Sequence, residues 1–219
     1  MSRFVIASVL AAALSSSAFA NVERFAAPPS DVAAEASVSR ARPALPDRPV
    51  VLDRATVRAK LAAARAANIK RFRAYQQKGV FPSNTYDGRK LNVWMDEQGQ
   101  FCAAATIMIA SGKSDLVNQV AAQDNFIRLG TVKQGAVMDW ILTSGLTQDE
   151  IAAIQEPFMG VMREEPFVDP NLRMAEDARL RKKYKQVDAM IAKNHQKSID
   201  LATDRLMKNQ ALAWALVNG

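Results

Sequence analysis

The chain holds one cysteine, Cys102, and one histidine, His195. Together they are the only residues that could form a thiol–imidazole dyad, in which the ring takes the thiol proton and leaves a nucleophile. Their settings argue against it. Cys102 lies in a run without charge, Phe101 to Gly112, while His195 lies in a polar, lysine-rich stretch. A reactive thiolate needs a nearby base or cation and access to solvent. Cys102 therefore reads as a buried, inert residue. One His and one Cys also fall short of a zinc ligand set, so no metal and no cofactor is expected. Carboxylates remain as acid–base candidates: Asp96 and Glu97 in a turn, and Asp139 before Trp140. The enzymatic alternative is thus an envelope hydrolase or redox protein using Cys102 or the Asp96 and Asp139 carboxylates. Ser111-Gly112-Lys113-Ser114 has the ending of a P-loop, but the required earlier glycine is Ile107, so no phosphate-wrapping loop is expected. No Gly-x-Ser-x-Gly nucleophile elbow occurs.

Charge gives a second kind of candidate. Arg54 to Lys78 carries eight Lys or Arg and no acid, whereas Gly79 to Gly160 carries five basic and nine acidic residues, a net of −4. The formal net charge of +7 is therefore concentrated in one block. Arg58, Arg65, Lys70, Arg71 and Arg73 are candidate contacts to an anionic surface: lipid headgroups, lipopolysaccharide or an acidic protein. The plainer reading is a solvated helix face. Nucleic acid is not an expected partner, because the chain begins with an export signal.

That signal is Met1 to Ala20. Arg3 supplies the positive start, Phe4 to Leu14 the apolar run, and Ala18-Phe19-Ala20 the small-x-small cleavage site. The run is too short for a membrane anchor, and no later transmembrane segment is expected. Residues 21–53 hold Pro28, Pro29, Pro43, Pro46 and Pro49. Proline at that density opposes helix and sheet, so this reads as a disordered linker, with Pro49 to Leu52 as its docking end.

The elements that position these residues are mainly helical. Asp53 caps a helix that Gly79 ends. Its apolar stripe is Val57, Leu61, Ala64, Phe72 and Tyr75, interrupted by Asn68. Leu91 to Met95 reads as a short strand, followed by a turn with Gly99. For 101–111 both helix and strand remain open; three successive alanines favour helix. Ser114 should cap the next helix, with Leu116, Val117 and Val120 inward. A further helix spans Lys133 to Thr143, and Thr147 with Glu150 makes a capping box. Asp169 caps a helix whose first residue is Pro170. Residues 171–218 lack Pro and Gly, and carry Leu180, Tyr184, Val187, Ile191, Ser198 and Ala202 on one stripe. They form one long amphipathic helix, or a hairpin bent near Lys193 to Ser198.

The spacing of Trp94, Asp96, Gly99, Cys102, Ser111-Gly112, Asn125, Trp140, Gly145-Leu146-Thr147, Glu150 and Gln155 resembles an uncharacterised group of exported bacterial proteins. The resemblance covers about a third of the chain and implies a compact domain, with no known activity.

The fold class expected is mainly α: a compact helical domain over 54–160 with at most one short strand pair, then a C-terminal amphipathic helical region over 161–219. The function expected is an exported, periplasmic or secreted, non-enzymatic binding or structural protein. A peripheral protein on anionic lipid is a further alternative. Cleavage after Ala20 gives a first testable outcome. Intact-mass analysis of the exported protein should show a chain starting at Asn21; retention of Met1 to Ala20 would defeat the assignment.

Overall fold

The computed structural model describes residues 51–162 and 168–219. The segments expected as an export signal, 1–20, and as a linker, 21–53, lie outside them except for residues 51–53. The described residues form eight helices and no extended sheet. These are α1 (Arg54–Lys78), α2 (Ala103–Ala110), α3 (Ser114–Gln123), α4 (Gly135–Thr143), α5 (Gln148–Ile154), α6 (Pro170–Lys193), α7 (His195–Met207) and α8 (Gln210–Asn218). Among the described residues, no helix is long and apolar enough to cross a membrane.

The helix ends follow from local chemistry. The Asp53 carboxylate accepts from the Ala55 and Thr56 N–H groups, and Gly79 closes α1 with φ 63°. Such a cap contributes about 1 kcal/mol. Asp169 caps α6 in the same way, with Pro170 in the first turn. Thr147 and Glu150 form the expected capping box on α5. Two expectations are corrected. Ser114 does not cap α3; it already lies inside the helix, and Lys113 at the cap position makes no side-chain bond. Leu91 to Met95 is not a strand. Leu91 and Met95 make single bridges to Phe158 and Phe101, because Asn125 takes the place of a partner strand: it accepts from the Met95 N–H at 3.0 Å and donates to the Met95 carbonyl at 2.8 Å. Within 101–111, Ala103–Ala110 is helix α2, with Ala103, Ala104 and Ala105 all buried. Small side chains there allow close packing of α1 and α3 on either side.

The C-terminal region lies along α1. Arg54 meets Asp204, Arg58 meets Asp200, Arg73 meets Asp188, and Arg181 donates to the Gly79 carbonyl. The partner number falls as the α1 number rises, so α7 and α6 run antiparallel to α1. The break falls at Asn194, inside the predicted window. The two segments continue in one direction along α1, and only α8 folds back, onto α1, α4 and α7.

Two apolar clusters result. The larger joins Phe72, Trp94, Cys102, Ile107, Val117, Ile151 and Phe158 to Leu180, Tyr184 and Ile191 of α6. Leu180, Tyr184, Val187 and Ile191 thus make α6 one wall of this cluster. Within this cluster Phe72, Tyr75, Phe81 and Tyr184 pack ring against ring at centroid distances of 5.5–5.8 Å. The smaller cluster joins Val57 and Leu61 to Ala202, Leu206 and Ala213, with Leu52 at its edge.

Between the clusters sits a buried ion pair. Arg65 is 0% exposed and Glu150 is 3% exposed. Arg65 Nη1 and Nη2 each donate to one Glu150 oxygen at 2.7 Å. The guanidinium also donates to the Gly145 and Ile191 carbonyls, at 3.2 and 3.0 Å. Glu150 accepts further from the Thr147 N–H at 2.9 Å and the Ser198 hydroxyl at 2.8 Å. The turn before α5 presses directly on α1. Gly145 has φ 74°, and a Cβ there would lie 2.1 Å from the Leu61 carbonyl oxygen, so no other residue fits.

Burial pushes the Glu150 carboxyl up, but hydrogen bonds from Arg65, Thr147 and Ser198, with the Arg65 charge, outweigh it and hold it below the ordinary value. A depressed carboxyl contributes stability above its unfolded pKa, about 4.3, and loses it as pH falls through the folded value. Glu150→Gln keeps the shape and strands a buried guanidinium, which should cost about 3–5 kcal/mol at pH 7. Urea unfolding is the measurement, and the gap to wild type should narrow as pH drops below about 4. A gap independent of pH would exclude the ionic role.

Candidate functional site

The nucleophile candidates do not come together. Cys102 is 0% exposed in the larger core, at the cap of α2, with Sγ 3.5 Å from the Ala105 N–H. Burial pushes its thiol up to about 12. His195 instead lines a surface cleft with Lys70 and Arg73. The carboxylate candidates are divided as well. Asp96 is buried and accepts from the Ser83, Gln98 and Gln100 N–H groups at 2.8–3.0 Å, which closes the turn. Asp139 lies on α4. Among the described residues, no group of three His, Cys, Asp or Glu is placed to hold a metal ion.

The residues that carry the sequence pattern hold the scaffold. Trp94 donates from Nε1 to the Val117 carbonyl at 3.0 Å, and Trp140 from Nε1 to the Ser111 hydroxyl at 3.1 Å. Gly112 has φ 81° and ends α2, so the P-loop-like tetrapeptide is a helix stop. Gln155 is buried, accepts from the Leu129 N–H and donates to the Ile127 carbonyl. A second buried charge cluster joins Glu156 and Glu176 through Arg179, whose Nε donates to Glu176 at 2.7 Å. The hydrogen bonds from Arg179 to Glu176 raise its pKa despite burial. These groups fasten α5 and the loop after it to α6.

What remains chemically open is the distal half of α1. Of the five candidate anion contacts, Arg65 is a correction: it is buried on Glu150 and cannot reach a surface. Arg58 is tied to Asp200 and Gln196, each at 2.8 Å. Arg73 is exposed and shares a 3.0 Å contact with Asp188. No acidic partner for Lys70 or Arg71 is found among the described residues; Arg71 donates to Asn68 Oδ1 at 2.8 Å. Lys78, outside the five candidates, joins them in the last turn of the helix.

Two clefts flank this half of α1 and share Ala74. One, about 610 Å³, has Ala66, Ile69 and Ala192 on its floor and Lys70, Arg73 and His195 around it. The other, about 370 Å³, lies between α1 and α2 and is lined by Val80, Phe101 and Ile109, by Tyr75, Gln100 and Thr106, and by Arg71 and Lys78. No acidic side chain lines either cleft. The sequence contains the cations, but the second cleft needs residues 99–110 beside α1, which no periodicity reveals.

Cys102 gives the checkable outcome for this site. A thiol held near 12 and sealed from solvent should resist a thiol reagent in the native protein at pH 8 and react fully in urea. Cys102→Ala should cost about 1–3 kcal/mol of stability and nothing else. Rapid native labelling would contradict the buried assignment.

Comparison with protein-family models, with curated proteins and with solved structures finds no match.

Proposed function

We propose that this chain is an exported, non-enzymatic binding protein of the bacterial envelope whose distal α1 face rests on an anionic surface. One observation carries the reading. Both clefts beside α1 combine an apolar floor with a cationic rim, lack acidic lining, and meet at Ala74. A surface of that kind suits the boundary where anionic headgroups meet acyl chains. Each exposed cation near an anionic membrane contributes about 1 kcal/mol, so Lys70, Arg71, Arg73 and Lys78 together support reversible attachment.

The proximal half of α1 has a different task. Arg54 and Arg58 hold α7 in register through exposed pairs, each contributing about 0–1 kcal/mol. Structural and attaching cations are thus separated along one helix, which gives a control within the same element.

The test is co-sedimentation with vesicles of anionic and of neutral phospholipid. Binding should appear on anionic vesicles only, weaken as salt screens the charges, and fall when Lys70, Arg71 and Lys78 are changed together to Gln. Arg58→Gln should leave it unchanged. Absence of binding to anionic vesicles at low salt would remove this reading. Equal loss from Arg58→Gln would show that net charge alone is responsible.

A further inference from the structure

The cleft between α1 and α2 has a feature that the second cleft lacks. Asn68 is 3% exposed and is itself fixed, donating to the Ser144 carbonyl at 2.9 Å. Its Oδ1 accepts from Arg71 Nη1 at 2.8 Å. A buried side chain therefore holds the Arg71 guanidinium in place and leaves its other donors free. A planar guanidinium fork matches a carboxylate through two parallel hydrogen bonds, and a fork already fixed loses less freedom on binding. Lys78 stands seven residues further along α1, about 10 Å away along the axis. Between them lies the apolar floor of Ala74, Val80, Phe101 and Ile109. The volume, about 370 Å³, falls in the range of small-molecule sites.

We infer that this cleft binds a long-chain carboxylate, with the carboxylate on Arg71 and the chain on Val80, Phe101 and Ile109. Charge complementarity selects the occupant. Arg71 and Lys78 are positive, no acid lines the cleft, and Val80, Phe101 and Ile109 offer apolar surface beside the polar Tyr75, Gln100 and Thr106. This inference rests on the proposed anionic-surface reading for the sign of the ligand, and it adds a discrete site to a diffuse face.

The probe is dodecanoate below its micelle concentration, titrated into the full-length mature protein by calorimetry, with dodecyl maltoside as the uncharged counterpart. Dodecanoate should bind and the maltoside should not. Arg71→Lys keeps the charge and removes the fork, so dodecanoate binding should weaken about tenfold. Ala110→Trp fills the cleft from the α2 side and should abolish dodecanoate binding; its melting temperature, set beside wild type, reports on folding. NMR shifts on titration should move Ile109 and Phe101 and leave Ala192 and Ile69 unmoved. Equal affinity for the maltoside, no weakening in Arg71→Lys, or shifts centred on Ala192 would each overturn the site. Vesicle binding without dodecanoate binding would defeat the cleft alone. Dodecanoate binding without vesicle binding would defeat the surface reading and leave the cleft standing.

Discussion

The Arg65–Glu150 pair is the constraint on which the rest of the structure depends. It sits where α1, the 144–147 turn, α5, the end of α6 and the start of α7 converge. Each partner does two things. Arg65 neutralises a carboxylate and closes two carbonyls that would otherwise be buried without donors. Glu150 neutralises that arginine and completes the cap of its own helix. A buried pair of this kind often adds little net stability, because desolvation offsets the attraction. Its effect here is on arrangement. Five chain segments must reach one point for either charge to be satisfied, and an alternative packing would strand both.

Much of the scaffold was legible because its signals are local. Asp53, Gly79, the Thr147–Glu150 box and Asp169-Pro170 mark helix ends through groups within four residues. The stripe of α6 and α7 was legible from spacing, and Leu180, Tyr184, Val187, Ile191, Ser198 and Ala202 are all buried. Arg65 was misplaced because a charge in a basic block reads as solvated. The correcting signal was present: Arg65 follows Leu61 by four and precedes Phe72 by seven, in register with the buried face. Glu150 had been found as a capping residue, and nothing local says that a cap also meets a charge 85 positions earlier.

The clefts were illegible for a related reason. Their linings mix residues of α1 with residues from α2 or α6, and separation in sequence hides such a meeting. The fixed Arg71 fork depends on Asn68, which looked like a flaw in the apolar stripe. The structure turns that flaw into a bridge: the same amide faces Ser144 in the core and the guanidinium outside. The basic block thereby divides into cations that hold the fold and cations that remain free to meet something else.

The packing of the first helix against the last three has a consequence for how the chain matures. Val57 and Leu61 find their fully buried apolar partners in Ala202, Leu206 and Ala213. A chain made from its N-terminus, at about 5–20 residues per second, presents α1 long before those partners exist. The helix itself forms within about a microsecond, since its contacts are local. Its packing must wait for loop closure across most of the domain, the kind of long-range contact that slows folding. Throughout that interval one side of an alanine-rich, positively charged helix is open to whatever the nascent chain meets, and the last few seconds of synthesis decide whether it finds its own C-terminus first.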